Sequence, residues 1–88
     1  MRKSLLTAFA SLIALSAPAI AGPSCDGTGD KLPEQQVREQ YEGQGYEIRK
    51  WKVSSGGCYE FYGYENGKKV EVYIDPWTGE IVRKNEED

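Results

Sequence analysis

Side chains able to do covalent or proton-transfer chemistry are few in this sequence of 88 residues, and their spacing narrows the options further. It holds two cysteines, Cys25 and Cys58, and no histidine. Imidazole is therefore excluded as general base, metal ligand and pH switch. No serine or cysteine has the histidine partner that nucleophilic catalysis uses. Redox-active cysteines usually lie close together at a helix N-terminus. These two stand 33 positions apart, with Cys58 at the start of a predicted strand. Two thiolates without histidine make half a zinc site. The carboxylates are scattered rather than paired as acid and base, and no phosphate-binding loop is present. The sequence thus predicts no enzyme, no cofactor and no metal site. The economical role for Cys25 and Cys58 is a disulfide, with a redox-active pair as the alternative. Closing a loop of that length contributes roughly 3–4 kcal/mol by chain-entropy arithmetic.

That disulfide presupposes an oxidising compartment, and the N-terminus supplies an address. Met1, Arg2 and Lys3 form a short positive region, followed by an apolar run over residues 5–17 and the small-x-small triplet Ala19-Ile20-Ala21. This is the pattern of a secretory signal, expected to be cut after Ala21. The run is short for a membrane anchor, and Gly22-Pro23-Ser24 before Cys25 lacks the leucine of a lipidation site. Residues 1–21 are assigned to a signal peptide and the remainder to a periplasmic or secreted protein, with no membrane insertion after cleavage. The remaining 67 residues carry nine basic against fourteen acidic side chains, a net charge of −5. Such a balance disfavours nucleic acid and anionic membrane surfaces as partners. A chain this short has a marginal core and little room for an internal ligand cleft.

The elements that must position these residues follow in order. Residues 22–31, rich in Gly, Ser, Pro and Asp, predict a flexible lead whose fixed point is Cys25. Residues 33–42 predict a short helix: Pro33 suits the first helical position, Glu34 favours the dipole, and Val37 and Tyr41 share a face with Leu32 at its end. Gly43 is expected to end it. A helix of this length must dock to be stable.

The docking surface is a sheet. Residues 58–65 and 68–75 flank Asn66-Gly67, a strong signal for a type I′ hairpin. The turn sets the register. Tyr59, Phe61, Val70, Val72 and Ile74 fall on one inner face, with Gly63 leaving room there for the helix or a ring. Tyr62, Tyr64 and Tyr73 fall on the other. Residues 46–54 predict a further strand in which Ile48 is out of phase with Trp51 and Val53; either a bulge near Arg49-Lys50 or an outward-facing group explains this. A turn over residues 75–79 leads to a short strand over 80–83, returning Ile81 or Val82 to the core, and residues 85–88 read as a frayed acidic tail. The fold class is α+β, one short N-terminal helix on a three- to four-stranded antiparallel sheet, with the domain spanning residues 32–84. Because Cys58 lies in the outward phase, either the lead passes around the sheet or a bulge at Gly56-Gly57 turns Cys58.

The run from Cys58 to Val82 resembles the PepSY domain, the module named for peptidase propeptides and the YPEB protein. An aromatic-rich strand, a turn with Gly and Lys, a Val-x-Val strand and then Asp-x-x-Thr-Gly-Glu make the pattern. Val70, Val72, Ile74, Asp75, Thr78, Gly79, Glu80, Ile81 and Val82 match it, and the resemblance spans residues 32–83. It implies a small α+β fold and a role in restraining peptidases, with no catalytic residue to carry over. A protein partner such as a peptidase is expected, and Tyr62, Tyr64 and Tyr73 are the candidate contact residues, since rigid aromatics with a polar tip serve as interface anchors. Tyrosine is also an ordinary strand former. A lone domain departs from the propeptide arrangement, so a peptidase target would have to be a separate chain. The alternative is a structural or self-associating envelope domain, against which the short charged edge at residues 80–83 argues. Oligomeric state is left open.

Overall fold

A computed structural model describes residues 22–87; the signal-peptide assignment, residues 1–21, lies outside them. The chain runs α1 (Glu34–Gly43), β1 (Tyr46–Val53), β2 (Tyr59–Glu65), β3 (Lys68–Ile74) and β4 (Ile81–Glu87). The strands form one antiparallel sheet in the order β1-β2-β3-β4. The α+β class holds, with four strands under one helix.

Pro33 sits just before α1 with an extended backbone (φ −59°, ψ 137°), so its missing N–H costs the helix nothing. Val37 and Tyr41, one turn apart, are the two buried residues of the helix. The helix ends one residue later than expected: Gln44 and Gly45 donate back to Tyr41 O and Glu42 O, and Gly45 takes φ 104°. Tyr41 Oη donates to Gly79 O, tying the helix to the β3–β4 turn, and Trp51 Nε1 donates to Glu34 Oε1 at 2.8 Å.

The β2–β3 hairpin has the expected register, with Tyr59 opposite Ile74, Phe61 opposite Val72, Gly63 opposite Val70 and Glu65 opposite Lys68. Asn66 (φ 52°) and Gly67 (φ 80°) both take the positive φ that a type I′ turn demands. Phe61, Val70, Val72 and Ile74 are fully buried against Val37. In β1 the pairing shifts between Ile48 and Lys50, which makes Arg49 a bulge. The bulge settles the phase conflict: Ile48 opposes Gly63 and Trp51 opposes Phe61, so both reach the inner face. Trp51 lies parallel to Phe61 at 6.2 Å, and Tyr46 meets Phe61 edge-on at 5.4 Å. Gly63 is small for a different reason from the one expected. A Cβ there would run into the backbone carbonyl of Glu47, so it is the bulged strand β1, not the helix or a ring, that approaches.

Two expectations about the C-terminal segment fail. Ile81 and Val82 do not return to the core; they stay 36% and 46% exposed, because β4 is an edge strand with all seven residues exposed. Within the acidic segment, residues 85–87 are not frayed either, and Asp88 lies outside the described residues. Asn85, Glu86 and Glu87 pair with Glu71, Val70 and Lys69, since backbone ladder bonds to β3 are available whatever the side chains. The turn between β3 and β4 explains the Asp-x-x-Thr-Gly-Glu pattern. Asp75 Oδ1 accepts from the N–H groups of Trp77 (2.8 Å) and Thr78 (3.3 Å), Thr78 Oγ1 accepts from Glu80 N–H, and Gly79 takes φ 78°.

Candidate functional site on the outer face of the sheet

With α1 on the inner face, the outer face is the one that carries Tyr62, Tyr64 and Tyr73. The pairing lays it out in rows across the sheet: Glu47, Tyr64, Lys69 and Glu87; then Lys50, Tyr62, Glu71 and Asn85; then Lys52, Glu60, Tyr73 and Arg83. In the last of these rows Tyr73 lies beneath the lead. Cys25 and Cys58 are joined by a disulfide with Cα atoms 5.0 Å apart, and Cys25 N–H donates to Gly56 O at 2.9 Å. Cys25, Cys58 and Tyr73 form a second small core, separate from the one under the helix, with Trp77 packed against it. The lead passes around the end of the sheet, where Leu32 N–H donates to Pro76 O at 2.8 Å and Leu32 packs on the inner core.

The lead is therefore tied down at more points than the expected one. Gly22 packs on the Tyr73 ring and Gly27 on the Trp77 ring, too closely for a Cβ at either. Trp77 Nε1 donates to Gly29 O at 3.0 Å, and Lys31 lies over the Trp77 ring. This corrects one candidate. Tyr73 is on the expected face but only 4% exposed, so it supports the lead and offers no contact surface. Tyr62 and Tyr64 are half-buried and reach the open part of the face.

Between them lies a shallow groove of about 370 Å³ lined by Arg49, Tyr62, Gly63, Tyr64, Lys69 and Glu87. Arg49 was not anticipated as a site residue. The bulge that corrects the phase of β1 swings its guanidinium over the Tyr64 ring at 5.2 Å, where Glu47 Oε2 holds it at 2.6 Å. The signal for it was the phase break in residues 46–54. The groove combines aromatic faces, two cationic groups and one carboxylate, a lining suited to an extended polypeptide rather than to a small apolar ligand.

Beside the groove sits a carboxyl pair. Glu60 is only 2% exposed, with Lys52 Nζ 3.8 Å away. Burial, then the neighbouring Glu71 carboxylate, raises the Glu60 carboxyl above the usual range. Burial works to raise Glu71 as well, but hydrogen bonds from Glu60, Tyr73 and Asn85 outweigh it and hold Glu71 below that range. Tyr73 Oη donates to Glu71 Oε2 at 2.9 Å and Asn85 Nδ2 to Glu71 Oε1 at 3.2 Å. Split carboxyl pKa values are also a pattern of acid–base catalysis. Neither carboxylate lines the groove; Lys52 of β1 lies beside Glu60 and Asn85 of β4 bonds Glu71, so the pair ties the four strands together. Among the described residues, no three Cys, Asp or Glu side chains converge as a metal-binding set.

The sequence profile of the PepSY_2 family, described as peptidase propeptide and YPEB domain, matches residues 5–85. The chain belongs to this family, and so is a module of the peptidase-propeptide type. No curated protein and no solved structure matches it. Among the described residues, no helix is long and apolar enough to cross a membrane.

Proposed function

We propose that this chain is an exported, periplasmic or secreted, non-catalytic PepSY domain that binds a protein partner through the outer face of its sheet, and that the partner is a peptidase it restrains. The family description supports a peptidase as the partner. The observation that carries the surface is the groove lined by Tyr62 and Tyr64, on the open side of the sheet away from the small core under the lead. Two tyrosines with a guanidinium stacked on one of them supply rigid contact area at low entropic cost. Arg49 and Lys69 can meet carbonyl or carboxylate groups of a bound segment.

The test is a capture from an envelope fraction, followed by an activity assay on any peptidase retained. The wild type is compared with a Tyr62→Ser, Tyr64→Ser variant. The expected outcome is a peptidase held by the wild type, slowed by it in the assay, and bound at least about tenfold more weakly by the variant. Equal retention by both proteins would remove the groove from the reading. Failure of the wild type to slow the peptidase would remove restraint.

A further inference from the structure

We propose that β4 is a self-complementary edge and that the chain pairs with a second copy of itself, β4 to β4, antiparallel. This goes beyond the peptidase reading and stands without it.

The sheet has two edges, and they differ. On β1 the Arg49 bulge breaks the ladder mid-strand, and lysines follow at positions 50 and 52. Those are the devices by which edges are protected from pairing. On β4 the irregularity falls at the start, between the pairs made by Tyr73 and Ile74, and residues 83–87 then run in unbroken register with β3. All seven residues of β4 are exposed. It presents a regular row of backbone donors and acceptors of the kind another strand can complete.

Its side chains say which strand fits. Residues 83–87 read Arg, Lys, Asn, Glu, Glu. Laid antiparallel against itself with Asn85 opposite Asn85, the segment sets Arg83 opposite Glu87 and Lys84 opposite Glu86, each pair occurring twice. The faces agree too. Arg83, Asn85 and Glu87 oppose the outer-face residues Tyr73, Glu71 and Lys69, whereas Lys84 and Glu86 oppose the inner-face residues Val72 and Val70. Every charge therefore meets its opposite on its own face of the sheet. Among the described residues, Arg83, Glu86 and Glu87 make no ion pair within the chain. Lys84 already donates to Glu65 Oε1 (2.8 Å) and Tyr46 Oη (3.1 Å), and Glu86 of the second copy would approach it from the open side. Asn85 donates to Glu71 and keeps a carbonyl oxygen for its counterpart on the two-fold axis. The product is an isologous pair with one continuous eight-stranded sheet and both grooves on the same face. The edge expected over residues 80–83 is in the structure a seven-residue strand over 81–87, and the opposite charges at 83–87 are spaced so that each can meet its partner in an antiparallel pair.

One five-residue strand from each copy makes a small contact, so the pair is a weak one. Sedimentation equilibrium of the purified chain, carried to about 1 mM, reads it. The wild type is expected to show a monomer–dimer equilibrium. Arg83→Glu replaces two attractive pairs with two repulsive ones and should weaken the dimer by about tenfold or more, as should Glu87→Lys. The mixture of the two variants is the decisive sample. In a mixed pair the two reversed charges face each other with opposite sign, while the unaltered Arg83 of one chain still meets the unaltered Glu87 of the other. The mixture should therefore dimerise as the wild type does. Circular dichroism melts check that both variants fold. A wild type monomeric throughout, or a mixture that stays as dissociated as its components, overturns the proposal. Association unaffected by either reversal overturns it as well and places the contact elsewhere.

Discussion

At the scale of single residues, the most consequential one is Glu60, a carboxyl 2% exposed in a domain of modest size. Its sequence neighbours conceal this, because it lies between Tyr59 and Phe61 in a strand whose outward phase reads as solvated. Across the sheet it lies opposite Tyr73, which is itself buried in the small core under the lead. A carboxyl with a raised folded pKa stabilises the fold below its unfolded value of about 4.3 and loses that contribution as pH rises through the folded value. Glu71, held low, does the reverse: its contribution is present above the unfolded value and lost as pH falls through the folded one. Glu60→Gln removes the first effect, since the amide keeps the shape without the charge. It should stabilise the fold at pH 7 by about 1 kcal/mol, raising the melting temperature by roughly 4–8 °C, and change little at pH 4. A lower melting temperature at pH 7 would mean that the Lys52 ion pair outweighs the cost of burying the charge.

At the scale of elements, the bulge in β1 and the glycine in β2 are one device. Arg49 is inserted so that Tyr46, Ile48, Trp51 and Val53 all oppose inner-face positions of β2. The backbone at Glu47 and Ile48 then comes so close to β2 that position 63 has no space for a Cβ. Gly63→Ala is expected to cost about 1–3 kcal/mol, because the atom it strikes is backbone and cannot rotate away. Chemical denaturation measures this directly; an unchanged midpoint would show that β1 yields. A second consequence reaches the groove, since displacing the bulge moves Arg49 off Tyr64. The hairpin is the most legible element in the chain. Asn66-Gly67 admits one turn type, which sets every pair from Glu65 with Lys68 to Tyr59 with Ile74. The phase of β1 was half legible: the break was visible at Arg49, but a bulge and an outward-facing group read alike until β2 was beside it.

At the scale of the whole molecule, the disulfide acts on more than loop entropy. It holds the lead across the outer face, and the lead buries Tyr73 and crosses to the inner core at Leu32. The disulfide lies within the small outer core, and the lead that it fixes runs on to the inner one. The Cys25→Ser, Cys58→Ser variant is expected to lose roughly 3–4 kcal/mol and to melt more than about 10 °C below the wild type. Should it not fold, reduction of the wild type under native conditions reads the same quantity as a loss of sheet circular dichroism. A variant melting with the wild type would reduce the disulfide to an ornament of the lead.

What the amino-acid sequence determined by itself is everything that depends on near neighbours. The helix from Pro33 and the Val37–Tyr41 spacing, the hairpin register from Asn66-Gly67, and the Asp75 turn with Gly79 after it all rest on local dihedral preferences and short-range hydrogen bonds. The family pattern is legible for the same reason, because it is made of those turns and alternations. What only the tertiary structure decided is which residues are left uncovered. A lead of glycines and small polar residues has no periodicity to betray a packed surface, yet it buries Tyr73 once the disulfide holds it down. The segment from Asn85 to Glu87 has no apolar residue to mark a strand, yet β3 offers it a ladder. Arg49 becomes a groove residue only because a bulge needed somewhere to put it. Burial and pairing at these positions come from residues well beyond the reach of a turn, and no local pattern encodes a neighbour that distant.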